Sequence, residues 1–148
     1  MELFSHLATG FGVALTPVNL LYALVGALLG TLIGVLPGIG PLTTIGLLFP
    51  LTFYLPPVPS LIMLAGIYYG AQYGGAITSI LLNLPGETAS AVTCLDGYPM
   101  ARQGRGGAAL AISALGSFLA GCLGTLLIAL AGPPLGEWAL AFGPAEYF

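Results

Sequence analysis

Charge is what this sequence has least of. Only 5% of its 148 residues are Asp, Glu, Lys or Arg, and none lies between residues 3 and 86. Soluble domains carry roughly 25% charged residues, so this chain cannot clothe a water-facing surface. Lysine is absent, and the two cations are Arg102 and Arg105. Nucleic-acid binding needs a basic patch, so no nucleic-acid partner is expected. His6 is the lone histidine and Asp96 the lone interior aspartate, which leaves an intramembrane protease without an Asp pair or a Ser-His dyad. Cys94 and Cys122 stand apart with no CxxC spacing and no His nearby, so they read as small buried thiols rather than redox or metal ligands. The first residues lack the positive region of a secretory signal peptide and read as mature protein. No enzymatic activity, cofactor or metal is expected.

What the sequence has in abundance is apolar residues, 57% of the chain, with a mean hydropathy of +1.03. The expectation is an all-α polytopic membrane protein in which residues 1–148 form a single membrane domain. A crossing takes about 20 apolar residues, which leaves room for about four or five. Residues 3–16 form an apolar lead-in. A first span covers residues 17–36, opened by Pro17 at a position where its missing amide proton is not needed. Residues 42–55 are too short for a comfortable crossing and suggest a half-helix or re-entrant segment. A stiff proline turn follows over residues 56–59, then a long apolar stretch over residues 60–84. Residues 88–95 are again short, and residues 96–106 read as a polar loop that faces the cytoplasm by the positive-inside tendency. Asp96 is expected to end a helix or cap that loop. A last span covers residues 107–132 and is closed by Pro133 and Pro134. Residues 135–148, with Trp138 and Tyr147, suit an interfacial piece.

Glycine recurs every four residues in three of these segments: Gly26, Gly30, Gly34 and Gly38; Gly66, Gly70 and Gly74; and, with alanine, Gly116, Ala120 and Gly124. Such faces let helices approach closely in lipid. Two Pro-Gly breaks interrupt the apolar sequence, at Pro37 and Gly38 and at Pro85 and Gly86. Free backbone amides cost several kcal/mol each in a bilayer, so broken helices persist there only where protein or a polar cavity shields them. Paired breaks point to a transporter binding site. The half-helix that begins after a break turns unpaired amides and the positive dipole end toward the gap, which favours an anion. The piece that ends there offers carbonyls to Na⁺ or a protonated group.

The expected substrate-binding residues are therefore Pro37, Gly38, Gly40, Thr43, Thr44, Asn83, Pro85, Gly86, Thr88 and Ser90. The glycines allow close approach, the prolines fix the bends, and the hydroxyl and amide groups orient a polar anion. For each Thr or Ser, bonding to its own helix backbone is the competing role. Glu87 is either a first-turn acid that complements a helix dipole or, with Asn83, an ion-coupling group for Na⁺ or H⁺. Tyr68, Gln72 and Tyr73 share one side of a helix. They serve either helix contacts and an interface belt or the wall of a cavity.

The runs at residues 34–41, 66–75, 80–87 and 95–101 together resemble the signature of the large membrane subunit (TctA-type) of tripartite tricarboxylate transporters. The resemblance implies a multi-pass protein of the bacterial inner membrane that takes up tricarboxylates or related carboxylates by an ion gradient. It implies a periplasmic solute-binding protein and a small membrane subunit as partners. It also implies that the chain is the N-terminal part of a longer inverted-repeat transporter. Ala76 stands where the family often has Ser, which removes one polar contact. The rival expectation is a non-transporting membrane scaffold whose glycine faces serve packing alone.

Overall fold

The computed structural model of the protein describes residues 2–140. It is all-α, with no strand among the described residues. Helix α1 (Glu2–Ala14) leads into α2 (Pro17–Gly34), and the Asn19 amide donates to the Val13 carbonyl at 2.8 Å to fix the joint. After the first break come the short α3 (Pro41–Leu48) and a tighter 3₁₀ stretch, Phe49–Tyr54. Helix α4 (Pro57–Leu82) is followed by the second break, α5 (Ala91–Met100) and α6 (Gly106–Leu140).

The core is the contact between α2 and α4. A Cβ added to Gly26, Gly30 or Gly34 would strike the backbone of Met63, Ile67 or Ala71 in turn. Added to Gly66, Gly70 or Gly74, it would strike the backbone at Ala23, Ala27 or Thr31. Each glycine face lies on the other, backbone against backbone. The numbers climb together along both helices, so α2 and α4 run parallel. The segment between them must therefore return the chain along their length. Its 8 helical and 6 tighter residues extend about 12 Å each, enough for most of an apolar layer about 30 Å thick. The Ser60 hydroxyl on α4 sits among the carbonyls of Pro56 at 2.8 Å and Thr52 at 3.0 Å and shares its one proton between them, which holds the end of this return strap against the start of α4.

Helix α6 runs antiparallel to α4, since Gly106 lies beside Leu81 and Gly121 beside Tyr69. By length and composition, α2 and the Ala91–Gly132 stretch are each apolar enough to cross a membrane.

Three boundaries differ from the sequence expectation. Pro57, Val58 and Pro59 form the first turn of α4 rather than a stiff turn, because first-turn amides have no helical acceptor and a proline there loses nothing. The polar stretch 96–106 is helical as far as Met100. It then turns through a widened loop at Ala101–Arg105, pivoting on Gly104 at φ 78°. Asp96 consequently lies exposed within α5, ends no helix, and makes no ion pair with Arg102 or Arg105 among the described residues. Helix α6 continues through Pro133 and Pro134 to Leu140. The expected interfacial piece is thus helical in part, and residues 141–148, including Tyr147, lie outside the described residues.

Candidate functional site

The first break forms as α2 loosens. The Leu36 amide reaches the Ile33 carbonyl at 2.9 Å, and the Ile39 amide reaches the Leu36 carbonyl at 3.1 Å. Gly38 turns the chain at φ 84°, a region that side chains disfavour. Gly40 is extended and precedes Pro41, the first residue of α3. Its carbonyl accepts both the Thr44 amide, at 3.0 Å, and the Thr44 hydroxyl, at 3.1 Å. The amides of Leu42 and Thr43 fall in the first turn, where a helix supplies no acceptor.

The second break begins at Asn83, the one non-glycine residue with positive φ among the described residues, at 58°. The Thr78 carbonyl accepts the Asn83 amide and, at 3.3 Å, that of Leu84, closing the end of α4. The chain then folds back along α4. A Cβ on Gly86 would sit 2.5 Å from the Gly75 Cα and 3.3 Å from the Gly34 carbonyl oxygen, so only glycine fits there. Ser90 ties the following turn: its hydroxyl accepts the Glu87 amide at 3.2 Å and donates to the Glu87 carbonyl at 2.9 Å.

These contacts bring the two breaks to one level of α4. Glu87 reaches across to the first break, and a Cβ on Gly40 would lie 3.6 Å from its Cβ and 3.7 Å from its Oε2. A cavity of about 380 Å³ opens between them, walled by Gly40, Pro41, Leu42 and Thr43 on one side and by Tyr68, Gln72 and Glu87 on the other. The Gln72 amide nitrogen donates to the Tyr68 hydroxyl at 3.1 Å. Glu87 Oε1 is buried and has no hydrogen-bond partner. The carboxyl group therefore lies near the amino end of α3, contributed by the other break, rather than only over the helix that follows it.

The structure thus gathers Gly40, Thr43 and Glu87 at one cavity, with Gly86 buried just behind. Thr44 and Ser90 are buried nearby, and their hydroxyls bond the local backbone. Pro37, Gly38, Asn83, Pro85 and Thr88 are exposed and do not line the cavity; Asn83 instead shapes the end of α4. Tyr68 and Gln72, absent from the expected binding set, do line it. Their i, i+4 spacing was the available signal. Tyr73 parts from them and joins Tyr69 in a second, more apolar cavity against α1 and α6.

Residues 20–148 match the sequence model of the tripartite tricarboxylate transporter TctA family. An Agrobacterium vitis protein described as an uncharacterized 52.8 kDa protein in the TAR-I ttuC' 3' region is 66% identical over 148 residues. The match takes in 100% of this chain and 30% of that relative, so the chain spans under a third of the relative's length. No solved structure matches the chain.

Proposed function

The chain belongs to the tripartite tricarboxylate transporter TctA family, and on that premise we propose that it forms part of a multi-pass subunit that carries carboxylates across the bacterial inner membrane. In this reading α2, the return strap, α4 and α6 cross the bilayer, and the turn bearing Arg102 and Arg105 faces the cytoplasm. A periplasmic solute-binding protein delivers the substrate, and a small membrane subunit completes the complex. The cavity between the breaks forms part of the carboxylate path.

The observation that carries this reading is the Glu87 carboxyl beside the amino end of α3, with one oxygen buried and unpartnered. The free amides and dipole of a helix start favour one negative charge. An ionised Glu87 holds that position against an incoming carboxylate. No Lys or Arg lines the cavity to hold both charges. Neutralised by H⁺ or paired with Na⁺, Glu87 releases the position to the substrate. Ion and carboxylate then bind together, which is symport. Tyr68 and Gln72 offer neutral donors to the rest of the anion.

Glu87→Gln in the complete subunit tests the coupling. The amide cannot change charge, so uphill accumulation of labelled carboxylate falls at least tenfold, while exchange across equal concentrations continues. Uphill accumulation that persists with its ion dependence intact overturns the assignment. The scaffold reading accounts for the glycine faces of α2 and α4, but supplies no reason for a carboxyl group at the meeting of two helix breaks.

A further inference from the structure

We propose that Gln72 is a positioning residue that acts on the carried carboxylate through Tyr68, by setting the Tyr68 hydroxyl as a donor aimed into the cavity between the breaks. This rests on the carboxylate reading above and adds how an uncharged wall selects its anion. Packing of α4 places that wall. Ile67, Gly70, Ala71 and Gly74 are buried against α2, which fixes the rotation of α4. Tyr68 and Gln72 each follow one of these buried residues by one position. They stand one turn apart on the flank that lines the cavity, across from Thr43 and the start of α3.

The Gln72 amide nitrogen donates to the Tyr68 hydroxyl oxygen at 3.1 Å. A phenol has a single proton, which rotates to suit its neighbours. With an N–H held against the oxygen from the Gln72 side, that proton is excluded there, because two hydrogens would face each other. It donates to no group among the described residues, and Glu87 Oε1, on the same cavity, has no partner. The ring behind the hydroxyl is steadied as well. Tyr69 meets it edge-on, with ring centres 5.9 Å apart and planes at 89°, and Tyr69 itself rests beside Gly121 of α6. A hydroxyl that accepts a hydrogen bond is the stronger donor, since the two bonds polarise one another. An ionised carboxylate gains more from such a donor than a neutral amide or alcohol of similar shape. Gln72 thereby sharpens the choice of a charged carboxylate without placing a charge in the cavity.

The test is a double-substitution cycle in the complete subunit, purified without the solute-binding protein, whose own affinity would mask the effect. The readout is the Kd of labelled acetate, succinate and citrate, probes with one, two and three carboxyl groups. Tyr68→Phe removes the donor and is expected to weaken the best-bound probe about tenfold, the worth of a hydrogen bond to a charged group. Gln72→Met keeps the side-chain length, removes the amide, and is expected to weaken it about fivefold, the worth of a neutral hydrogen bond. In the Tyr68→Phe background, Gln72→Met is expected to add nothing, because the hydroxyl through which Gln72 acts is gone. An equal loss in both backgrounds overturns the proposal, since Gln72 would then serve packing or touch the anion itself. An unchanged Kd in either single variant also overturns it. The Glu87→Gln experiment reads uphill accumulation instead, so the coupling reading stands or falls separately. Binding of none of the probes by the unmodified subunit overturns the carboxylate reading, and this inference with it.

Discussion

The α2–α4 pair and α6 carry the same small-residue spacing and meet opposite fates. On α2 and α4 every glycine of the face touches partner backbone, and no Cβ can be added without collision. On α6, Gly116 and Gly124 face open space. A four-residue glycine repeat thus states that a helix can be approached closely and does not name the approaching element. In lipid the difference is decided by contact alone, because tails are as apolar as leucine and no hydrophobic gain rewards one partner over another.

The comparison can be broken most sharply at Gly70, where an added Cβ collides with the Ala27 carbonyl and lies 2.8 Å from the Thr31 amide nitrogen. Backbone cannot swing aside as a flexible side chain can. Gly70→Leu is expected to cost about 3 kcal/mol or more, at the upper end of overpacking, and to abolish monodisperse protein on size exclusion in detergent. Normal elution and an unchanged melting temperature would show the pair to be looser than described. A smaller effect is expected at Gly86, where the second break leans on the same packed pair. Gly86→Ala pushes the break away from Gly75 and costs about 1–3 kcal/mol, with uptake by the complete subunit falling more than protein level. Equal falls in both would assign Gly86 to stability alone. The smallest effect is expected on α6. Gly116→Ala in the 148-residue chain meets nothing and gains up to about 1 kcal/mol of helix propensity, so its melting temperature holds or rises slightly. A large loss there would mean that α6 already has a partner in the isolated chain.

Much of this arrangement is legible from residue type and spacing. Pro17 opens α2 as its ring requires, the Pro-Gly pairs interrupt the helices, and the glycine faces of α2 and α4 meet where the four-residue rhythm puts them, except that Gly38 leaves the first face for the turn of the break. The departures from expectation have separate causes. Proline was read as a helix stop over residues 56–59 and at Pro133 and Pro134, yet Pro57 and Pro59 sit in a first turn where no amide bond is lost. Likewise the charged stretch 96–106 looked like a loop because it is polar, but residues up to Met100 keep helical backbone. Tyr73 was grouped with Tyr68 and Gln72 by helical phase, which is correct for one helix. The neighbours, however, are α3 and Glu87 on one flank and α1 and α6 on the other.

Composition and local pattern by themselves determined that this is an all-α membrane protein with two broken helices, because the cost of charge and of free amides in hydrocarbon acts residue by residue. Tertiary structure alone decided that α2 and α4 run parallel, that both breaks meet beside Gly75, and that Glu87 lies over the helix of the other break. The physical reason is that these helices are apolar on nearly every side, so hydropathy does not mark which face meets protein and which meets lipid. Close backbone contact makes that choice, between residues far apart in the chain.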